Sequence, residues 1–397
     1  MRGAKVLVVL LVVALVIGAA LFAYHRGWLR PPTEAALDYR ATVAGGEAVI
    51  EVNGTAGVPL PSVRLVLYGP GLGQGQLRLA ESSAAQDLLP GVDLRYQDDG
   101  DGAFDGGDRV TVRGESGLAP GVWHLHVAYP LGDGESNRSV RFQVLPDGVG
   151  PFEDDLEVSF LAVGQGDAEL VRTSDGRWVL IDAGPAAGTD ELLEQLASKG
   201  VDRLAALVIS HPHLDHYAGA DEVLAAYEVG AVYHPGLGSG ASSYAAFLQA
   251  VAAEGCPVYT DAQLDPGDYL NISLTEDFRV MSIASSGDAN EASLVLLVAN
   301  PGMSVLFTGD LGEEGEEAFI ERWGSVDIDI LKVGHHGSRY SSSMEFLRAV
   351  DPERAVIEVG PNSYGHPHAE TLERLAQLGI AVERTDRGAI TIGQARS

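Results

Sequence analysis

The chain has 397 residues, 46% apolar and 21% charged, so it can bury ordinary cores, and its length suits two domains or a little more. A single cysteine, Cys256, excludes a disulfide framework and any multi-cysteine metal knot. With 56 acidic against 26 basic side chains the formal charge is -30, which excludes a nucleic-acid or anionic-membrane binder that works by bulk positive charge.

From Val6 to Tyr24 the chain runs for nineteen residues without a charge. At about 1.5 Å rise per residue such a run nearly spans a hydrocarbon core. It exceeds the usual h-region of about 7 to 15 residues and shows no clean small-x-small cleavage site, so residues 1–30 read as an uncleaved membrane anchor. The alternative is a cleaved signal segment and a secreted body. Arg2 and Lys5 on one side face Arg26 and Arg30 on the other. The positive-inside rule is then nearly balanced, and the expected orientation places the amino terminus inside and the body on the outer face of the cell membrane.

Residues 38–150 carry short runs of period two, AVIEV, SVRLVLY, RVTV, VWHLHVAY and SVRFQVL, separated by Gly, Pro and Asp clusters. They read as strands of a small immunoglobulin-like β-sandwich. Within them, placing Gly102 at the sharp-turn position of an EF-hand-type loop puts Asp99 and Asp101 before it and the Ala103 carbonyl, Asp105 and Asp108 after it. Gln97 stands where the first ligand is usually Asp, and Asp108 where the last is usually Glu, so a bound calcium ion is expected to be weak. The other reading is an acidic, solvated hairpin turn.

From residue 156 to 397 the pattern changes to strands alternating with helices, which implies sheets covered by helices. Seven of the eleven histidines fall in three short motifs of this region. The first, Ser210-His211-Pro212-His213-Leu214-Asp215-His216, directly follows the buried run AALVIS. In an extended turn His211 and His213 project to one side while Asp215 and His216 swing to the other, which suits two adjacent metal ions on one loop. Imidazole with carboxylate suits zinc, manganese or iron rather than calcium. Val305 to Asp310 is an apolar strand ending in Gly-Asp, whose carboxylate is placed to bridge two metals about 3.5 to 4 Å apart. Asp329 to Ser338 is a further strand running into His335 and His336, and Tyr364-Gly365-His366-Pro367-His368 opens a helix with more imidazole.

HPHLDH followed by TGD and HHG resembles the metallo-β-lactamase-fold hydrolases. More narrowly, VSFLAVGQGDAELV, WVLIDAG, ASLVLLV, LFTGDL, LKVGHHGSRYSSS, YGHPH and RTDRGAITI resemble, in order over residues 156–393, the metallo-hydrolase domain of ComEC-type DNA-uptake proteins. The resemblance implies an α/β fold, an αββα sandwich with a dinuclear site along one edge of its packed sheets. It implies His211 and His213 on one divalent ion, Asp215, His216 and His335 on the other, and Asp310 bridging, the ions being zinc or manganese. Many superfamily members add a histidine between the first motif and the bridging aspartate. Here that interval holds only His234, on the strand-like AVYHP, and the stretch before ASLVLLV reads Gly287-Asp288-Ala289-Asn290-Glu291. One ion is therefore expected to be less completely coordinated. Ala162 stands where the family has an aspartate, Asp167 is retained, and Gly334 replaces the usual proline.

Phosphodiester hydrolysis by a hydroxide held between the two ions follows if the substrate is nucleic acid, as the resemblance implies, because coordination lowers the pKa of water from about 15.7 towards about 7. Lys332, His336, Ser338 and His368 are candidates to bind the phosphate or protonate the leaving oxygen, with support of the site or loop structure as the other reading; Lys332, His336 and His368 join Asp215 as the catalytic set. Asp182, ending the run WVLIDAG, is expected to orient the first-motif histidines. Asp167, Asn290, Ser293 and His366 are expected behind the ligands or against substrate. The reading is an exported, membrane-anchored phosphodiesterase or nuclease, with a separate DNA-uptake channel as a candidate partner. One rival is another metallo-hydrolase class, such as a lactonase, thioesterase or β-lactamase-like enzyme. The other is a non-enzymatic cell-surface binding module with a structural metal.

Overall fold

The apolar alternation of the sequence becomes the faces of sheets. A computed structural model describes residues 155–393 apart from 239–241 and 285–286, and, nearer the amino terminus, the strands between residues 38 and 144 with the short stretch 118–120. The expected membrane segment, residues 1–30, and the four calcium-loop carboxylates Asp99, Asp101, Asp105 and Asp108 lie outside the described residues.

The first strands build a five-stranded sheet in the order β1 (Asp38–Ala44), β2 (Glu47–Asn53), β9 (Arg109–Gly114), β7 (Val92–Gln97) and β6 (Gln86–Leu89), each neighbouring pair antiparallel. In β2, Ala48, Ile50 and Val52 are buried while Glu47, Val49 and Glu51 keep some exposure, so side chains alternate between faces as a pleated strand requires. A four-stranded sheet runs β11 (Gly134–Val144), β10 (Gly121–Leu131), β4 (Arg64–Gly69) and β5 (Gly73–Arg78). A two-residue ladder pairs β3 (Val58–Pro59) with β8 (Ala103–Phe104), which sets Ala103 opposite Pro59.

Residues 155–393 form four layers. One sheet has the order β17 (Val258–Tyr259), β16 (Val232–Tyr233), β15 (Ala206–Val208), β14 (Trp178–Ile181), β13 (Glu169–Arg172), β12 (Glu157–Phe160) and β24 (Ile390–Gly393). The other has the order β18 (Asp277–Ser282), β19 (Val295–Asn300), β20 (Met303–Phe307), β21 (Ile330–Lys332), β22 (Arg354–Ile357) and β23 (Ala381–Arg384). In each, an antiparallel part gives way to a parallel part, β14 to β17 in the first and β20 to β23 in the second. The sheets pack face to face through Val158, Phe160, Val179, Ile181 and Val208 against Phe278, Val280, Leu296, Val305 and Phe307.

Period two sends the intervening residues outward. Leu180 and Leu207 meet Leu192 and Leu196 of α1 (Thr189–Ser198) beside α2 (Leu214–Tyr217), α3 (Ala220–Ala226) and α4 (Ser242–Glu254). Leu306 and Leu331 meet Phe319 of α5 (Glu313–Trp323), Phe346 and Leu347 of α6 (Met344–Val350) and Leu375 of α7 (Ala369–Leu378). Strands buried on both faces read as continuous apolar runs, which is why AALVIS and SVLF carry so little polarity. The result is the expected αββα sandwich.

Parallel neighbours end side by side, and their carboxyl ends deliver the motif loops to one place. Asp182 follows β14, Ser210 to His216 follow β15, Asp310 follows β20, His335 and His336 follow β21, and Glu358 to His366 follow β22. The turn between β12 and β13 closes the group, since the Asp167 N–H donates to the Asp215 carbonyl at 3.1 Å and the Gly184 N–H to the Asp167 carbonyl at 2.9 Å. Gly166 permits this approach: its φ is +157°, and a Cβ there would stand 2.7 Å from Pro185 Cδ and closer still to the Asp215 carbonyl oxygen. Gly166→Ala should therefore push the turn off the first-motif loop and cost about 1–3 kcal/mol. Thermal unfolding should show Tm lowered by at least about 2 °C, and an unchanged Tm would contradict this close packing.

Candidate metal centre

The centre is built on the carboxylate of Asp310, which arrives buried at the end of an apolar strand. Its Oδ2 lies 3.7 Å from His211 Nε2 and 3.6 Å from His335 Nε2, whereas its Oδ1 lies 3.3 Å from His216 Nε2 and 3.8 Å from His336 Nε2. The two oxygens thus face two different groups. His211, His213 and Asp310 bring ligand atoms within 4.8 Å of one another, and so do Asp215, His216 and His336. Asp215 Oδ2 stands 3.3 Å from His336 Nε2. Gly309, at φ +52°, lets the strand end press on Ser210 and Ser293, and the Ser293 hydroxyl accepts the Asp310 N–H at 3.3 Å.

Asp310 Oδ1, His216 Nε2 and His336 Nε2 are buried and have no hydrogen-bond partner. Three such atoms from three separate strand ends, all aimed at one point, fit a divalent cation, and imidazole with carboxylate is the donor set of zinc or manganese. Burial opposes charge on Asp310, but the imidazoles of His216 and His336 outweigh it and hold the carboxyl well below its usual range. Burial pushes His211 well below the ordinary imidazole value, so it stays neutral, the form that ligates a metal. His336 goes the other way: burial lowers it, Asp310 and Asp167 raise it, and the balance stands at about 10.

A second ring of groups fixes these side chains. Asp182, at φ +52°, accepts the Ser210 N–H at 2.7 Å and the Ser210 hydroxyl at 2.6 Å, while His216 Nδ1 lies 2.7 Å from its Oδ2. Ser210 Oγ in turn sits 3.0 Å from His211 Nδ1, which leaves His211 Nε2 facing the centre. Asp182 thus stands behind the first motif, against Ser210 and His216. Asp167 holds the other flank, 3.1 Å from His336 Nδ1 and 3.5 Å from His216 Nδ1.

Several residues stand elsewhere than the sequence suggested. The side chain grouped with Asp215 and His216 is His336, not His335. Both histidines have positive φ, +49° and +53°, so the backbone turns sharply and throws their rings 6.1 Å apart and nearly perpendicular. His335 faces the Oδ2 side of Asp310 instead. Lys332, expected on substrate, is fully buried: its ammonium is ion-paired with Asp167 and donates to the Gly309 carbonyl at 2.8 Å. The Asp167 pair holds the ammonium below the cleft, whose lining does not include Lys332. His368 lies outside the cleft lining, where its Nδ1 accepts the Arg339 N–H at 3.1 Å. Ser338 is likewise buried, its hydroxyl accepting the Tyr340 N–H at 3.3 Å. His234 is a buried histidine whose Nδ1 accepts the Gly236 N–H at 3.1 Å and whose ring packs edge-on against Phe247.

An open cleft of about 520 Å³ lies over the centre, lined among others by Gln165, His213, Leu214, Asp215, Asn290, Asp310, His335, His336, Tyr364 and His366. Asn290 and His366 thus face the cleft. Gln165 and Tyr364 were not singled out by sequence reasoning, although both lie inside motifs it quoted. Glu169 and Glu358 were also missed. They are buried beside Asp167; burial, then repulsion from Glu358 and Asp167, pushes Glu169 well above the usual carboxyl range, and burial with repulsion from Asp167 raises Glu358 to about 8. A glutamate between Ala168 and Leu170 in an otherwise apolar strand was the available signal.

A profile of the metallo-β-lactamase superfamily matches residues 161–360. The chain belongs to that superfamily, whose fold implies divalent metal binding. It is 34% identical over 251 residues to ComE operon protein 3 of Bacillus subtilis, covering 58% of this chain and 32% of that protein. It is 34% identical over 248 residues to Competence protein ComA of Neisseria gonorrhoeae, covering 62% and 33%, and 32% identical over 235 residues to Recombination protein 2 of Haemophilus influenzae, covering 58% and 27%. These relatives are of the ComEC type that the motifs resembled, and the chain spans about a third of their length.

The Lys332 ammonium is the charge that permits a buried Asp167. Lys332→Met should cost about 3–5 kcal/mol, because it strands a buried carboxylate. Chemical denaturation measures this, and a variant as stable as the parent would show that the ion pair does not hold the floor of the site.

Proposed function

We propose that this chain is a metal-dependent phosphodiesterase or nuclease. The observation that carries the reading is the Asp310 carboxylate, whose two oxygens face two separate imidazole-bearing groups at the bottom of an open cleft. Open sites with a bridging carboxylate suit catalysis, whereas structural metal sites are normally closed. Relatives named for competence support nucleic acid as the substrate class.

His211 and His213 would hold one ion, Asp215, His216 and His336 the other, and Asp310 both, with zinc or manganese as the metals. Bound there, two divalent ions supply Lewis acidity for a phosphoryl oxygen and for the attacking water. The chain's own residues do the rest. Asp182 and Ser210 lock the tautomers and ring planes of His211 and His216. The Asp167–Lys332 pair keeps His336 turned toward Asp215. His335 and His366 line the cleft as neutral imidazoles placed to hydrogen-bond the phosphate, with His366 lowered to about 4 by burial and by its histidine neighbours His336, His335 and His368.

In the same reading residues 1–30 anchor the chain, the body stands on the outer face of the membrane, and a separate uptake channel is its partner. The strands before residue 150 form an immunoglobulin-like module with a weak calcium loop. The formal charge of -30 favours one rival, a metallo-hydrolase acting on a lactone or thioester, since a polyanion is repelled at long range.

Asp215→Ala should lower manganese- or zinc-dependent cleavage of DNA and bis-nitrophenyl phosphate by about 10²-fold or more, with circular dichroism unchanged, because the loss of a metal ligand exceeds the roughly 10- to 100-fold cost of losing an outer partner. Full-strength cleavage by the variant would refute the site. A metal-loaded protein inert on phosphodiesters and active on lactones would transfer the assignment to the rival.

A further inference from the structure

The strongly acidic chain must find substrate affinity in something other than cationic side chains, and the cleft rim offers an aromatic ring. Tyr364 lines the cleft with 69% of its surface exposed, unusual for a large aromatic side chain. Its ring stacks on that of His366 at 5.7 Å and 30°, and His366 lies 5.4 Å from His335 and 6.1 Å from His336. Tyr364 is therefore the outermost of a series of rings that begins at the metal centre. Leu214, 56% exposed, adds an apolar face from the first-motif loop.

The loop that carries Tyr364 is held rigid by a single side chain. Asn362 Oδ1 accepts the N–H groups of Tyr364, Gly365 and His366 at 3.1, 2.9 and 3.1 Å, while its Nδ2 donates to the carbonyls of Gly360 and His366 at 2.9 Å each. The Gly360 N–H is itself tied to Gln165 Oε1 at 3.2 Å. A braced loop presenting an exposed ring loses little entropy when a flat partner stacks on it.

We propose that Tyr364 is a specificity-determining residue, a platform on which an unpaired nucleobase next to the scissile phosphate stacks. This rests on the phosphodiesterase reading and narrows it to single-stranded or frayed nucleic acid, because a base inside a duplex has its faces already stacked. Base stacking on an aromatic side chain contributes about 1–3 kcal/mol and tolerates any sequence. That term does not depend on the chain's net charge.

The test uses the full chain in detergent, loaded with manganese, and a short single-stranded oligonucleotide labelled for anisotropy and for cleavage. Tyr364→Ala should raise KM and the dissociation constant by about tenfold, with the loss in KM rather than kcat, and Tyr364→Trp should restore both. An abasic residue beside the cleaved linkage should weaken binding to the parent protein and add nothing further in Tyr364→Ala. Cleavage by the parent with KM unchanged in Tyr364→Ala, or an equal abasic penalty in both proteins, would overturn the platform alone. Neither binding nor cleavage by the metal-loaded parent would overturn the phosphodiesterase reading and the platform with it.

Discussion

The site is organised by buried negative charge that the protein itself does not neutralise. Asp167, Asp182 and Asp310 are all within 2% of full burial, and the one lysine among them, Lys332, is taken up by Asp167 and the Gly309 carbonyl. Isolated carboxylates in such surroundings cost several kcal/mol each. The remaining charge must be met by protons on imidazole or by metal, and the high proton affinity of His336 and His216 shows how strongly the pocket asks for a cation. A divalent ion held there would displace those protons and satisfy the same carboxylates, which would link metal binding to the stability of the strand ends.

The fold exists to bring these charges together without burying unpaired backbone. Each of the two sheets has a parallel portion, β14 to β17 and β20 to β23, whose carboxyl ends meet at the site, and each strand end there contributes a short loop. The loops interlock by backbone contacts, Asp167 to Asp215, Gly184 to Asp167 and Leu294 to Ser210, so moving one displaces the others. Glycine appears where those contacts are closest, at Gly166 against Asp215 and at Gly309 against Ser210 and Ser293. Asp215, Asp310, His335 and His336 face the cleft, and Asp167, Asp182 and Lys332 stand buried behind them.

Much of the site was legible in the sequence where ligands are contiguous. Ser210 to His216 lie on one loop after one strand, so their split into two groups followed from the extended start and helical end of the motif, with His213 extended at the start of α2. The pairing of His335 and His336 was not legible, because two consecutive left-handed residues invert which ring points inward, and nothing in the dipeptide announces that. Lys332 misled for a different reason. A lysine in an apolar strand suggests a functional cation facing solvent, but this one is fully buried, and its counter-charge comes from Asp167, 165 positions earlier in the chain. His368 opens a helix as expected, yet its ring serves a neighbouring loop. The layered fold was easier to read, since period-two strands and amphipathic helices are local signals.

In the proposed reading Asp310 joins two metal positions. Metal content by plasma mass spectrometry of the purified chain, beside Asp310→Ala, tests this directly. Two equivalents of zinc or manganese are expected in the parent, and a fall in both equivalents together in the variant. Loss of only one equivalent, or full retention of both, would contradict a bridging carboxylate.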